Sequence, residues 1–401
     1  MHYGAHPIWA STPPRESSLE FVRRIRRNHK EWIFAMQFID LKKQYAALQN
    51  SINNRIQTVL NHGQYIMGPE VKELEAALCA HTGAEHCITV ASGTEALLMS
   101  LMALGIQAGD EVITTSFTFV ATAEVIALLG ARPVFIDVEP DTCNIDVSQL
   151  EGKITERTKA IIPVSLYGQC GDMDEVNAIA ALHGIPVIED GAQSFGAMYK
   201  GRKSCNLSTL GCTSFFPSKP LGCYGDGGAV FTNDGNLAQA LREIRVHGQS
   251  ARYYHTRVGV GGRMDTLQCA VVLGKLERFE WEIAQRIHIG TRYQELLSNL
   301  PQGARTVVVR PDRTSVWAQF TVIVPDREKV LARLNEAGIP TAVHYPRAIH
   351  QQPAYTQYAV AGDMPVSESL AQQVLSLPMH ADLDHETQDR IVHSLFAALK
   401  N

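Results

Sequence analysis

The chain has 401 residues, with 36 Lys and Arg against 41 Asp and Glu for a net charge of −5, and it is 45% apolar and 19% charged. This composition excludes a disordered or fibrous chain and leaves room for one large domain and a smaller one. The mildly acidic balance gives no global reason for nucleic acid or an anionic membrane as partner, and no apolar run approaches the roughly 18 residues that span a bilayer. Eight cysteines are scattered without a C-x-x-C pair, which in a chain this long reads as reduced thiols in a cytoplasm. There is no H-E-x-x-H pattern, and no metal site is expected.

Residues 1–35 differ in character from the rest of the chain. Turn formers give way to a cluster of Arg23, Arg24, Arg26, Arg27 and Lys30, with no apolar stretch of the kind a secretory signal needs. The extension is read as dispensable.

From Asp40 the pattern is helical. Leu41, Tyr45, Leu48, Ile52, Ile56 and Val59 recur every three or four residues, with Asp40 as N-cap and Gly63 as stop. A second helix opens with Pro69. Short β-rich runs at 86–90, 111–114, 133–136, 159–163 and 185–188 then alternate with helical segments near 94–104, 119–129 and 172–183. Such alternation predicts a largely parallel sheet covered on both faces, and runs near 212–216 and 228–232 fit the same sheet. A long helix from Asp265 to about Leu300 leads to strands near 305–309 and 316–324, a helix near 326–337, a strand near 341–343 and a final helix. The expected architecture is a large α/β domain and a smaller C-terminal α+β domain.

Four places carry chemistry. In an open parallel sheet, ligands lie beyond the carboxyl ends of the strands. There, the run at 185–188 leads into Asp190 and small residues; such an acid serves as metal ligand, ribose clamp or partner of a protonated ring nitrogen, and a solvated strand-end Asp reads the same. Lys219 follows two aromatics and a proline and precedes Gly222, Gly225, Gly227 and Gly228. Desolvation there would lower its pKa and release the neutral amine as a nucleophile, although a surface lysine looks similar. Ser92, Gly93 and Thr94 open a helix directly after a strand, which suits a phosphate and equally suits an ordinary N-cap. Phe117 and Phe119 follow the strand at 111–114, as core or as a stacking plate. Together these residues meet the needs of pyridoxal phosphate: lysine for the Schiff base, acid for the ring nitrogen, aromatic for the ring and cradle for the phosphate.

The segments HGQYIMGPEV, ASGTEAL, FTFVATAE, IEDGAQSFGA, SFFPSKPLGCYGDGGA and VHYP occur in this order. In them the chain resembles the DegT/DnrJ/EryC1/StrS family of sugar-nucleotide aminotransferases, a branch of the fold-type I enzymes, from about Met36 to the C-terminus. The stretches SCNLSTLGCTSFFPSKPLGCYGDGGA and RVGVGGRMDTLQ most resemble the branch that aminates the 3-keto position of a UDP-2-acetamido-glucuronic acid for bacterial surface polysaccharide (O-antigen). The resemblance implies residues 36–275 as the cofactor-binding domain and 276–401 as the small domain, in a homodimer with shared active sites. It implies Lys219 as the covalent lysine and proton shuttle, Asp190 on the pyridine nitrogen, Gln193 on the ring's phenolic oxygen and Phe119 on the ring face. Gly93, Thr94 and Ser214 would hold the phosphate.

By the same resemblance Arg263 enters the neighbouring subunit's site and grips the uronate carboxylate, His344 and Tyr345 lie on the substrate side, and L-glutamate is the amino donor. The chain departs from its relatives at Gly261, where an asparagine is common; the change removes a donor to the cofactor phosphate. Related dehydratases carry histidine in place of the lysine, so Lys219 favours amino transfer. Two other readings stand beside this one: a relative acting on another keto-sugar nucleotide, such as a 4-keto-6-deoxyhexose, and a non-catalytic regulator that binds the cofactor.

Overall fold

Local signals set the first helices. In the computed structural model, which describes residues 36–400, helix α1 (Leu41–His62) begins where the Asp40 carboxylate accepts the N–H groups of Lys42 and Lys43 at 3.1 and 3.0 Å. It ends where Gly63, at φ 69°, donates its N–H to the Val59 carbonyl. Helix α2 (Pro69–Thr82) carries Pro69 in its first turn and Gly83 at φ 77° after its last. The expected extension, residues 1–35, lies outside the described residues.

The central sheet is built from β1 (His86–Val90), β2 (Glu111–Thr115), β3 (Arg132–Ile136), β4 (Thr158–Ile162), β5 (Ile188–Asp190), β6 (Leu210–Ser214) and β7 (Gly228–Thr232). Their spatial order is β1-β7-β6-β5-β4-β2-β3, with β4 and β5 joined by the parallel bridges Ile161–Val187 and Val164–Asp190. Strand β7 runs antiparallel to both neighbours, whereas the β6–β5, β4–β2 and β2–β3 pairs are parallel. The expected mostly parallel sheet is what the chain forms. Helices α3 (Gly93–Ala103), α4 (Ala121–Leu128), α5 (Met173–Leu182) and α6 (Gly235–Ile244) connect or flank the strands.

Successive strand residues feed two separate cores. Cys87 and Phe231 join one with Leu74, Phe195 and Val272, while Ile88 and Val230 join the other with Met99, Ile126 and Leu241. A strand buried on both faces has no polar alternation, which is why these runs read as continuously apolar.

Helix α7 (Thr266–Leu296) lies along α1 and passes unbroken through residues 275 and 276. Gly274 allows this approach, because a Cβ there would stand 2.9 Å from the Ile52 side chain. The C-terminal region holds an antiparallel sheet of β8 (Arg305–Thr306), β9 (Phe320–Ile323) and β10 (Val374–Leu377), with helices α8 (Arg327–Glu336), α9 (Pro365–Gln373) and α10 (His385–Leu399). Here two expectations change. The strand expected at 341–343 is a single bridge between Ala342 and Ser376, and α9 and β10 form where no element was expected.

Candidate active site

The strand ends assemble the site. Ser92 holds an extended backbone and its hydroxyl accepts the Glu95 N–H at 3.1 Å, which starts α3 with Gly93 and Thr94 in its first turn. That turn presents N–H groups and the positive end of the helix dipole. Gly93 is pressed against Ser214 at the end of β6: a Cβ on Gly93 would lie 2.6 Å from the Ser214 Cβ. Glycine is therefore what lets the β6 hydroxyl and the α3 N-terminus form one cradle.

Asp190 closes β5 and is buried. One carboxylate oxygen accepts the Thr122 hydroxyl at 2.9 Å and the other accepts the Ala192 N–H at 3.1 Å. Burial pushes its pKa up, while these donors and the charge of Lys219 oppose the rise. Burial in turn pushes the Lys219 amine below the ordinary lysine range, with Asp190 working against that fall. The pair thus combines an acid held ready for a cation with an amine biased toward its neutral form.

Gln193 links two walls. Its carbonyl oxygen accepts the Tyr167 N–H at 2.8 Å, and its amide donates to the Tyr345 hydroxyl at 3.1 Å. The Tyr167 hydroxyl donates to the His344 carbonyl. His344 Nδ1 lies 3.0 Å from the Ser376 hydroxyl, and burial, aided by the Lys219 charge, lowers its pKa to about 4. Phe119 is 52% exposed, and its ring centroid is 6.0 Å from that of Tyr345.

A cavity of about 450 Å³ brings these groups together: Gly93, Thr94, Phe119, Asp190, Gln193, Ser214, Lys219, His344 and Tyr345 all line it. Arg263 does not. It stands half-buried beside Gly261, with its Nε buried and without an acceptor, outside the cavity of its own chain. Phe117, the other aromatic of that turn, is core.

The cavity also includes residues that sequence reasoning did not reach. Thr118 and Ser218 sit among the recognised motifs, and Asp226 stands inside the glycine run. Gln319, just before β9, places a buried, unpartnered amide oxygen in the wall. No motif marks it. Thr122, outside the cavity lining and three residues after Phe119, supports the strand-end acid by its hydroxyl and could have been read from its place in the FTFVATAE segment.

The anion cradle, a buried acid, a lysine of lowered pKa and an open aromatic fit pyridoxal phosphate. The comparisons agree. Residues 46–396 match the model of the DegT/DnrJ/EryC1/StrS aminotransferase family. The chain belongs to this family. It is 58% identical over 349 residues to a UDP-2-acetamido-2-deoxy-3-oxo-D-glucuronate aminotransferase of Pseudomonas aeruginosa, covering 87% of this chain and 96% of the relative. A DegT/DnrJ/EryC1/StrS aminotransferase from Brucella abortus superposes with TM-score 0.87 at 43% identity, over 91% of this chain and all of that one. The Bacillus subtilis protein NtdA, solved with bound PMP, gives TM-score 0.84 at 30% identity, over 91% of this chain and 83% of that one. As a DegT/DnrJ/EryC1/StrS enzyme, the protein is a sugar aminotransferase that depends on pyridoxal phosphate.

Proposed function

We propose that the protein transfers an amino group from L-glutamate to C3 of a UDP-2-acetamido-2-deoxy-3-oxo-glucuronate, in the cytoplasmic stage of surface-polysaccharide (O-antigen) synthesis. The observation that carries the substrate is the 58% identity to the Pseudomonas enzyme along 87% of the chain. Bound pyridoxal phosphate supplies an aldehyde to take up the amine and a ring to accept electrons as a proton leaves carbon.

The residues divide the remaining work. Gly93, Thr94 and Ser214 bind the phosphate at the α3 N-terminus. The Asp190 carboxylate, held by Thr122 and the Ala192 N–H, keeps the ring nitrogen protonated. Gln193 orients the phenolic oxygen, and Phe119 covers the ring. Lys219 takes and returns the proton at its Nζ, which burial keeps closer to its neutral form. His344, neutral at working pH, and Tyr345 face the sugar.

Arg263 gives this reading its uronate. A planar guanidinium suits a carboxylate, and its Nε has no acceptor among the described residues, which favours a role in the neighbouring copy of a homodimer. Exposed Tyr65, Ile66 and Met67 supply consecutive apolar surface for that contact. Gly261 leaves the phosphate one donor short of the common arrangement.

The test is incubation of the protein with the 3-oxo-uronate nucleotide and glutamate, followed by mass analysis. The amino product should form, a neutral keto-sugar nucleotide should react more slowly, and Lys219→Ala should lose turnover by at least about 10³-fold. Equal rates on the acidic and neutral sugars would overturn the uronate assignment; an active Lys219→Ala would overturn the mechanism.

A further inference from the structure

A second chain of polar side chains crosses the interior beside the cavity. Ser116 Oγ lies 2.5 Å from His350 Nδ1, and His350 Nε2 lies 2.9 Å from a Glu368 oxygen. Ser116 and His350 are both buried. Glu368 also accepts the Gly362 N–H at 2.6 Å, and that bond, followed by the one to His350, holds its carboxyl below the ordinary range. An ionised carboxylate only accepts, so Nε2 carries a proton and donates to Glu368, which leaves Nδ1 to pair with the Ser116 hydroxyl. The backbone repeats the connection, because the Ile349 N–H donates to the Ser116 carbonyl at 2.8 Å. Serine, histidine and glutamate would suit a hydrolase, but Ser116 is sealed in the interior and is not among the residues that line the site cavity. The chain is a joint.

The parts it joins are the two aromatic walls of the site. Ser116 begins the turn that delivers Phe119, and His350 closes the segment that begins with His344 and Tyr345. Phe119 is half exposed and meets Tyr345 across the cavity, so its position depends on where this turn is anchored. We propose that the Ser116–His350–Glu368 chain sets Phe119 against Tyr345, and that Ser116 and His350 are positioning residues for the aromatic that covers the cofactor. This rests on the reading of Phe119 given above.

A double-mutant cycle on the full chain tests it, with the dissociation constant of pyridoxal phosphate read from its absorbance band. Phe119→Ala and His350→Ala should each weaken binding about tenfold. The double variant should stay within about twofold of Phe119→Ala, because His350 acts through that ring. Glu368→Gln, whose amide oxygen still accepts from Nε2, should remain near wild type, whereas Glu368→Leu should match His350→Ala. Should His350→Ala fail to fold, Ser116→Ala carries the same cycle by removing one hydroxyl. Losses that multiply in the double variant would overturn the joint. Unchanged binding in His350→Ala alone would also do so, whereas unchanged binding in Phe119→Ala would remove the reading of Phe119 itself.

Discussion

His344 shows how surroundings decide what a residue does in the cavity. Burial and the nearby Lys219 charge lower its pKa to about 4, so the imidazole is neutral at pH 6 and above. A folded-state value below the unfolded 6.5 means that the unfolded chain binds more protons between about pH 4 and 6.5, and stability falls as the pH drops through that window. For activity, His344 contributes no limb to the rate profile between pH 6 and 8. His344→Gln should lower kcat/KM across that range while leaving the shape of the profile unchanged; an inflection present in the wild type and absent in the variant would show that the ring titrates during turnover. The neutral ring can offer a hydrogen bond to a sugar without placing a cation beside Lys219.

At the scale of the element, α7 carries an internal cost. Lys275 is 2% exposed, its amine has no acceptor among the described residues, and it lies 4.5 Å from the centroid of the Tyr224 ring. Burial lowers its pKa to about 8, against the pull of Glu282. The unfolded chain therefore binds more protons between about pH 8 and 10.5, and stability rises with pH across that interval. Lys275→Met should stabilise the protein at pH 7 by about 1 kcal/mol, the relief of burying the charge outweighing the lost ring contact. Melting curves of both proteins would show a higher Tm for the variant at pH 7 and convergence near pH 10. A variant that melts lower at pH 7 would mean that the ring contact dominates.

Elements differ in how much of themselves they write into the chain. Helix α1 was readable to its ends because Asp40 and Gly63 act within one turn of themselves. Strand β10 was not, because it is only four residues long and exists through pairing with β9, some fifty residues away. Thr341, Ala342 and Val343 have strand character but find a partner at Ala342 alone. In the site, the residues at strand ends were legible because the sheet edge collects them. Gln319 needed the fold, since only its three-dimensional closure brings a C-terminal amide to the cavity.

For the whole molecule, the shared-site reading predicts a particle of twice 44.1 kDa in sedimentation velocity. An active monomer would exclude Arg263 as a contribution between copies. The contact of Gly93 with Ser214 has a further result. Gly93 opens the helix that follows the first strand and Ser214 ends the sixth, 121 positions apart in sequence, and the seventh strand lies between those two strands in the sheet. Under the proposed phosphate assignment, both halves of the anion cradle are in place only in the closed sheet, so coenzyme affinity would report on the integrity of the whole strand order.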